Sequence, residues 1–444
     1  MSVENSLSNK IKLPIKFTQP SESTPAKTIL VHISKMESFI CSLNPAASLY
    51  EDVTDEEDIR KCFTDLKEYL ATQNIQLITV EDALLLNTNT LMKLAEQSLN
   101  YERETDIVEE KKKKLKLSPY PSPEPSPSKR KSSIDEYEFN SSEEYKTKVL
   151  KKFSKHNLMN VILTRPTMKL KHIETDTYIE SSSITFCPLG NLVFCRDQQI
   201  TTKKGVVIGR SRTNQRKYEH VIMKQVFENL EVKPVGEVTE GYLEGGDFYV
   251  ARENLSMLGV GLRTDIVAAN YLMEKDLLDT RYMALSYDEN DQDQQRMHLD
   301  TYFNILNDNN AIVIDFDEVR KKENKEKNID RRVYYFDKDK DAKEIKSDRE
   351  DIRNKVGEYK LIKIFDSFYK FLDEMKFNYV KVTHQEQKEY MINFLNIGNN
   401  TVISVNKDLE KKVKDLGINV KYFDCQPILN MYGGMHCMTQ VSRT

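Results

Sequence analysis

The sequence lacks several features that define metal-binding, secreted and membrane proteins. No two of its six cysteines form a C-x-x-C pair, and only His298 and His436 of its seven histidines lie in polar motifs, which argues against a zinc site. The N-terminal stretch MSVENSLSNKIKLPIKF has no apolar core of a signal peptide. No run of about 18 apolar residues occurs. We therefore expect a cytoplasmic protein with free thiols, no metal and no membrane span. The cysteines are Cys41, Cys62, Cys187, Cys195, Cys425 and Cys437.

Net charge is also small. The formal charge is −4 and the pI is near 6.1, so the chain as a whole has no electrostatic footprint for nucleic acid. Its 444 residues are 39% hydrophobic and 31% charged. This length fits either one large domain built from repeats or two domains.

One segment has the composition of an unfolded insertion. The stretch KKKKLKLSPYPSPEPSPSKRKSS holds five prolines between Pro119 and Pro127, and we predict disorder over about residues 103–140. Its Ser-Pro pairs make it a candidate kinase target, and its clusters Lys111–Lys114 and Lys129–Lys131 resemble a two-part nuclear import signal. A neutral insertion is the alternative, since loop-closure cost grows slowly with length. The three Ser-Pro serines are Ser118, Ser122 and Ser126.

Short apolar runs recur along the rest of the chain. Each of the five runs reads as a buried strand, and the spacing within the second half is about 50 residues once the charged stretch 316–344 is set aside as a solvated loop. Such spacing indicates a pseudo-symmetric repeat. Helical periodicity follows the first run: VTDEEDIRKCFTDLKEYLATQN carries one apolar face, with Thr54 and Glu57 as a capping box. The runs are ILVHI (29–33), GVVIG (205–209), MLGVG (257–261), AIVID (311–315) and VISV (402–405).

Four polar clusters lie beside these predicted strands, where residues from different repeats can share one rim. They are CRD with Asp197, EGGD with Glu244, HLD with His298 and Asp300, and GGMHC with Cys437. Taken singly each has an ordinary structural explanation: a glycine turn, a strand histidine with a carboxylate partner, an exposed charge pair or a buried thiol. Together they bring a nucleophile, a proton carrier and three carboxylates into one sequence.

These residue types restrict the chemistry. A cysteine nucleophile must ionise, and a histidine is the natural proton carrier near neutral pH. Three carboxylates would repel an anionic substrate but suit a planar cation with several N–H donors, and a guanidinium is such a cation. Attack of a thiolate on a guanidinium carbon is therefore a coherent reaction that needs no metal.

The same four segments resemble a known family. They are similar, in order, to the signature segments of the guanidino-group-modifying, or pentein, superfamily. The similarity is greatest to arginine deiminases, including the protist enzymes. The segments are NLVFCRDQQITTKKGVVIGR, LEGGDFYV with LGVGLRTD, MHLDTYFNIL and GGMHCMTQ. The resemblance covers about residues 27–100 and 145–444. It implies an α/β fold, a five-bladed pseudo-symmetric propeller, and hydrolysis of L-arginine to L-citrulline and ammonia without a cofactor. It also implies one catalytic domain (27–444) after a flexible N-terminus (1–26), interrupted by a partly disordered helical insertion (83–175).

The resemblance also implies a role for each catalytic residue. Cys437 would be the nucleophile that forms an amidino-thioether intermediate, and His298 would protonate the leaving ammonia and then activate water. Glu244 would pair with His298 and the guanidinium. Asp197 and Asp300 would bind the guanidinium nitrogens.

Further residues would bind the rest of the substrate. Asn191, Arg216 and Arg263 correspond to positions that bind the amino-acid end of arginine; Arg216 lies 19 residues after Asp197, and Arg263 lies 19 after Glu244. Gly434 would let the final loop approach the substrate. His436 departs from bacterial arginine deiminases, which usually have arginine before the nucleophile, and resembles agmatine deiminases and amidinotransferases.

Three alternatives remain open at the level of sequence. The substrate could be another guanidino compound, such as agmatine or a methylated arginine, although agmatine offers no carboxylate to Arg216 and Arg263. An amidinotransferase would have to exclude water from the intermediate. A non-catalytic scaffold would explain the long Pro/Ser insertion. The chain lacks tryptophan, which agmatine deiminases tend to use near the substrate. A homodimer or higher homo-oligomer is also left open.

Overall fold

Helices and strands alternate along the chain. The computed structural model describes residues 11, 13–103, 138–172 and 180–444. The α-helices are α1 (Met36–Ser42), α2 (Glu56–Thr72), α3 (Val80–Leu85), α4 (Thr88–Ser98), α5 (Glu143–Leu150), α6 (Lys155–Thr164), α7 (Lys217–Asn229), α8 (Ile266–Glu274), α9 (Phe316–Lys322), α10 (Phe368–Glu374), α11 (His384–Lys388), α12 (Leu409–Val413) and α13 (Gln426–Asn430). The strands are β1 (Thr28–Val31), β2 (Gln76–Thr79), β3 (Asn100–Arg103), β4 (Pro166–His172), β5 (Glu180–Phe186), β6 (Gln199–Thr201), β7 (Val206–Ile208), β8 (Gly236–Glu237), β9 (Phe248–Arg252), β10 (Leu255–Val260), β11 (Tyr282–Tyr287), β12 (Phe303–Ile305), β13 (Asn310–Ile314), β14 (Arg332–Asp337), β15 (Lys355–Val356), β16 (Tyr359–Phe365), β17 (Asn378–Val382), β18 (Leu395–Gly398), β19 (Thr401–Ser404), β20 (Asn419–Tyr422) and β21 (Gln440–Ser442).

Five sheets share one arrangement of three strands. In each, a central strand pairs with an antiparallel strand on one side and, on the other, with a parallel strand that follows it in the chain. The parallel pairing requires a crossover, and every crossover contains a helix. The five predicted apolar runs are the five central strands, so this prediction is confirmed. In the order antiparallel, central, parallel, the triplets are β21-β1-β2, β6-β7-β8, β9-β10-β11, β12-β13-β17 and β18-β19-β20.

The two ends of the chain meet in the first triplet. Strand β21 pairs with β1, with Thr28 opposite Ser442. The segment before β1 is packed, although the sequence predicted a flexible stretch over 1–26: Phe17 is buried, and the buried Glu22 carboxylate accepts a hydrogen bond from the Arg443 guanidinium at 2.9 Å. The pairing holds because a buried charge requires a partner. The prediction of flexibility is therefore wrong for residues 16–26, while residues 1–10 and 12 lie outside the described part.

The third sheet is extended by three strands, giving the order β15-β16-β14-β11-β10-β9. The prediction of a solvated loop over 316–344 is wrong here, because the stretch forms α9 and β14. The central residues of β14, including Val333 and Phe336, are buried. Several of its charged residues have ion-pair partners, as Asp337 does in Arg281 at 2.9 Å, so high charge does not prevent folding.

The predicted insertion at 83–175 is helical in part. It contains α4, α5 and α6 together with β3 and β4, which form a separate three-stranded sheet with β5 just beyond it. Nearly all of the predicted disordered segment at 103–140, with Ser118, Ser122, Ser126 and both lysine clusters, lies outside the described residues.

Helix α2 supports the C-terminal loop. Its predicted apolar face is confirmed, and it packs in the same cluster as β1 and the methionines Met435 and Met438. Burying each large apolar side chain of this kind contributes about 1.5–3 kcal/mol. The predicted cap is wrong: the Asp55 side chain accepts the Glu57 N–H at 2.8 Å. The buried face comprises Ile59, Cys62, Phe63, Leu66 and Leu70.

Two of the six cysteines are joined, contrary to the prediction that all are free thiols. Cys62 of α2 forms a disulfide with Cys425, whose Cα lies 5.5 Å away although the two are 363 residues apart in sequence. Sequence spacing cannot reveal such a pair, because only the fold brings the two elements together. Among the described residues, no helix combines the length and apolar composition needed to cross a membrane.

Candidate active site

The polar motifs occupy equivalent places in the five triplets. Each of the strands β21, β6, β9, β12 and β18 is preceded, within a few residues, by a polar side chain of the candidate site. The preceding residues are Cys437, Asp197, Glu244, the pair His298 and Asp300, and Asn393, in the same order. Equivalent loops of a repeated unit lie on one side of the sheets, which explains why residues so distant in sequence meet.

His298 lies among carboxylates. Its Nε2–H donates to Glu244 Oε2 at 2.9 Å, and its Nδ1 is 3.9 Å from Asp197 Oδ1. Burial alone would lower the pKa of His298, but the charge of Asp197 and the hydrogen bond to Glu244 raise it to about 10. Burial would likewise raise the pKa of Glu244, yet the bond from His298 and the charge of Arg216 hold it well below its usual range. The structure therefore pairs an imidazolium with an ionised carboxylate.

Arg216 extends into the same cluster. Its Nη1 donates to Asp197 Oδ2 at 2.7 Å and lies 3.9 Å from Glu244 Oε2, while its Nε donates to Glu219 at 3.0 Å. Asp197 uses its other oxygen to accept the Gly246 N–H at 3.2 Å. Both oxygens of Asp197 are thus occupied in the substrate-free protein.

Cys437 is half-buried beside Asp300 and Asn393. Its Sγ lies 3.6 Å from Asp300 Oδ2 and accepts a hydrogen bond from Asn393 Nδ2 at 3.0 Å. Burial, together with the negative charges of Asp300 and Asp197, raises the pKa of the Cys437 thiol well above its usual range. The sulfur is therefore a neutral thiol in the free protein.

His436 lies behind Asp300. Its Nδ1–H donates to Asp300 Oδ2 at 2.7 Å, and its ring stacks on Tyr249 with centroids 5.1 Å apart. Both His436 and Asp300 are fully buried. Burial and the neighbouring Arg196 lower the pKa of His436, so the neutral ring orients Asp300 through one hydrogen bond.

The remaining predicted residues surround this cluster. Arg263 Nη2 donates to Gln294 Oε1 at 3.1 Å, and its buried Nε has no hydrogen-bond partner. Asn191 contributes its backbone carbonyl to Arg216 Nη2 at 3.3 Å. Gly434 must be glycine, because a Cβ there would lie 2.7 Å from Asn393 Oδ1.

The short turns differ from the sequence prediction. His298 and Asp300 do not alternate along a strand; they lie at the start of the 3-10 turn Leu299–Thr301. Their side chains consequently serve different partners, Glu244 for His298 and His436 for Asp300. A cavity of about 230 Å³ leads to Cys437. Its lining includes Glu51, Met297, Thr301, Asn393, Gly433 and Cys437.

Sequence reasoning missed two residues of the site. Asn393 contacts both Cys437 and the backbone that presents it, and the signal that could have found it is its place before β18, the equivalent of the other four motifs. The second is Asp247, the last residue of the EGGD motif, to which sequence reasoning assigned no role. Its Oδ1 accepts the Leu299 N–H at 2.9 Å, and burial raises its pKa to about 7. Asp247 thus ties the His298 turn to the Glu244 loop.

The cluster also has metal-ligand spacing. One atom each of Asp197, Glu244 and His298 lies within 4.8 Å of the others. The cations among them are the Arg216 guanidinium and the His298 imidazolium. The sequence-based expectation that the site uses no metal stays a prediction.

The sequence model of the family described as arginine deiminase matches residues 47–443. The chain belongs to the arginine deiminase family. It is 32% identical over 154 residues to an arginine deiminase of Listeria monocytogenes serotype 4b, covering 32% of this chain and 36% of that protein. An arginine deiminase of Limosilactobacillus reuteri is 28% identical over 171 residues, covering 35% of this chain and 41% of that protein.

These alignments therefore span well under two thirds of the curated relatives. Among solved structures, the N-terminal domain of ArgZ, described as an arginine dihydrolase from the ornithine-ammonia cycle in Cyanobacteria, matches with a TM-score of 0.41 and 17% identity. That match covers 68% of this chain and 87% of the other.

Proposed function

We propose that the chain hydrolyses L-arginine to L-citrulline and ammonia, with Cys437 as the nucleophile. The observation that carries the proposal is the cluster in which Cys437, His298 and the carboxylates Asp197, Glu244 and Asp300 meet. A thiol beside a protonated imidazole and several buried anions suits a substrate that is itself a cation. Membership of the arginine deiminase family supports arginine as that cation.

The carboxylates bind the guanidinium group. Asp197 and Asp300 are both buried, and His436 keeps Asp300 oriented toward Cys437. Charge-assisted hydrogen bonds to these carboxylates hold the planar group so that its carbon faces the sulfur.

The substrate activates the nucleophile. The thiol is neutral in the free protein because burial and the anions of Asp300 and Asp197 oppose its ionisation. A bound guanidinium neutralises those anions and places a positive charge beside the sulfur, which lowers the pKa of Cys437, and the thiol releases its proton to solvent through the cavity. Asn393 stabilises the resulting thiolate by its hydrogen bond.

His298 transfers the protons. Attack of the thiolate on the guanidinium carbon forms a tetrahedral adduct, and the imidazolium of His298 donates a proton to the departing nitrogen, which leaves as ammonia. The amidino-thioether remains. Neutral His298 then takes a proton from water, whose oxygen attacks the same carbon. The thiolate leaves and takes up the remaining hydroxyl proton as citrulline forms, which restores the thiol. Glu244 stabilises the imidazolium throughout.

The amino-acid end of the substrate contacts a second group of residues. Arg216 and Arg263 bind the α-carboxylate, and Asn191 and the backbone at Gly434 contribute polar contacts. His436, in contrast to the sequence-based expectation, acts on Asp300 and not on the substrate directly. This assignment follows from its complete burial and its bond to Asp300.

The organisation of the chain adds to the proposal. The shared strand order of the five triplets supports a five-bladed α/β propeller within one catalytic domain. A cytoplasmic location and a homodimer stay predictions. The insertion at 103–140 is a regulatory tether with kinase sites at Ser118, Ser122 and Ser126. Replacing residues 104–137 with a short Gly/Ser linker should leave citrulline production unchanged, and loss of activity would contradict this.

The activity is tested by a colorimetric citrulline assay with the purified protein on arginine, agmatine and dimethylarginine. Arginine should be the best substrate, and Cys437→Ala should abolish turnover without changing the thermal midpoint by more than a few degrees. Cys187→Ala, the same change at an exposed free cysteine, is the matched control and should keep full activity. Acid-quenched protein should carry an adduct on the Cys437 peptide. Full activity of Cys437→Ala, or preference for agmatine, contradicts the proposal.

A further inference from the structure

Every nitrogen of the Arg216 side chain is already bound within the carboxylate cluster. Nη1 donates to Asp197 Oδ2 at 2.7 Å, Nε to Glu219 Oε2 at 3.0 Å and Nη2 to the Asn191 carbonyl at 3.3 Å. The side chain is only 9% exposed. Arg216 was expected to bind the carboxylate end of the substrate. Its guanidinium instead contacts Asp197, a carboxylate proposed to bind the guanidinium group of the substrate.

The two guanidinium groups compete for one place. Each oxygen of Asp197 already accepts a hydrogen bond, Oδ2 from Arg216 and Oδ1 from the Gly246 N–H. Nη1 of Arg216 is also 3.9 Å from Glu244. A substrate guanidinium can bind Asp197 only if Arg216 withdraws, since two cations this close in a buried site repel each other.

A withdrawn Arg216 needs a new anion. Its Nε can stay on Glu219, which lies three residues further along the chain and is also held by the Gln198 amide at 2.9 Å. Nη1 and Nη2 then lose their partners, and an arginine fork is well matched to a carboxylate. The α-carboxylate of an amino-acid substrate would supply it, whereas a decarboxylated guanidino compound would not.

We propose that Arg216 occupies the guanidinium subsite of the free protein and that a substrate needs a carboxylate to displace it. Arg216 is thereby a specificity determinant that excludes guanidino compounds without a carboxylate. The inference rests on the proposed function for the identity of the subsite, but the occupancy itself is a binding property.

The test measures binding of methylguanidinium chloride at millimolar concentration by isothermal titration calorimetry. Arg216→Ala should bind it at least about tenfold more tightly than the unmodified protein, since the competing charged hydrogen bond is gone. Arg210→Ala is the matched control: it removes a half-buried arginine that donates to the backbone carbonyls of Thr239 and Gly241, and it should bind within about threefold of the unmodified protein. Arg216→Gln, which keeps the polar stem, replaces Arg216→Ala if circular dichroism shows that the alanine variant is unfolded.

A second readout separates occlusion from simple carboxylate binding. In Arg216→Ala, kcat/KM for arginine should fall and kcat/KM for agmatine should rise; a residue that only bound the carboxylate would leave agmatine unchanged. Equal methylguanidinium affinity of both Arg216 variants and the unmodified protein overturns the inference. The calorimetry does not depend on turnover, so it tests the inference separately from the proposed activity. If the protein makes no citrulline but Arg216→Ala still binds methylguanidinium more tightly, only the proposed activity is refuted.

Discussion

Asn393 should set the ionisation of Cys437. Its Nδ2 donates to the Cys437 sulfur at 3.0 Å and to the Asp300 carbonyl at 3.2 Å, and its Oδ1 accepts the backbone N–H groups of His436 and Cys437, both at 3.1 Å. The bond to sulfur strengthens when the thiol ionises, because a charged acceptor forms the stronger hydrogen bond. Asn393→Ala therefore removes an interaction that favours the thiolate.

The size of the effect follows from that one bond. A hydrogen bond to a charged group contributes about 1.5–3 kcal/mol. One pKa unit corresponds to about 1.4 kcal/mol, so the pKa of Cys437 should rise by about 1–2 units in Asn393→Ala. At a pH below that pKa, the thiolate population should fall by about 10- to 100-fold. Citrulline formation should fall by a similar factor at saturating arginine.

The assay is the rate of alkylation of Cys437 by iodoacetamide between pH 7 and pH 10, followed by mass spectrometry of the peptide that contains it. Asn396→Ala is the matched control. Asn396 is also buried, and its amide donates to the carbonyls of Ile305 and Leu306 at 3.0 and 3.1 Å without contacting Cys437. Both variants should lose stability, but only Asn393→Ala should slow the alkylation. Equal alkylation profiles of the two variants would refute the reasoning.

Three further predictions concern charge and covalent structure. Asp300→Asn removes the anion nearest the sulfur, so alkylation of Cys437 in the free protein should become faster while citrulline formation is lost; slower alkylation would contradict the assigned electrostatics. The pKa of His298 is raised to about 10 in the folded protein, so its contribution to stability is complete below the unfolded pKa of about 6.5 and is lost as pH rises through 10. The melting temperature should accordingly fall more steeply between pH 7 and pH 10 in the unmodified protein than in His298→Gln, and parallel curves would disprove it. Thiol titration in denaturant should find four reactive cysteines without reductant and six with it, because Cys62 and Cys425 are joined; six in both conditions would rule out the disulfide.

The fold could be predicted as far as its central strands. A strand that pairs on both edges and is covered on both faces has a continuous apolar sequence. Five such sequences identified the central strands β1, β7, β10, β13 and β19. Their antiparallel partners include three-residue strands such as β6 and β12, which are too short to show a period. The pairing of β1 with β21 joins opposite ends of the chain and has no local signal. The charged stretch at 316–344 was misjudged because several of its charges have ion-pair partners and its apolar residues are buried in the folded protein.

The site could be predicted where its residues are chemically distinctive. Cys437, His298 and the carboxylates belong to motifs whose residue types restrict the reaction, and the family assignment that followed from them is confirmed. Asn393 lies in MINFLNIG, a stretch without a charge or a nucleophile, so nothing in its own sequence indicated a role. Only its position before β18, which the fold makes equivalent to the other motif positions, reveals it.

The sequence by itself determined which reactive groups the protein has and which runs form the centres of its sheets. These properties depend on residue type and on neighbours a few positions away. The tertiary structure decided the pairings: Arg216 with Asp197, His436 with Asp300 and Cys62 with Cys425. It also decided that Cys437 is a neutral thiol. Hydrogen bonds and charge interactions act over a few ångströms and depend on burial, and only folding sets those distances between residues far apart in the chain.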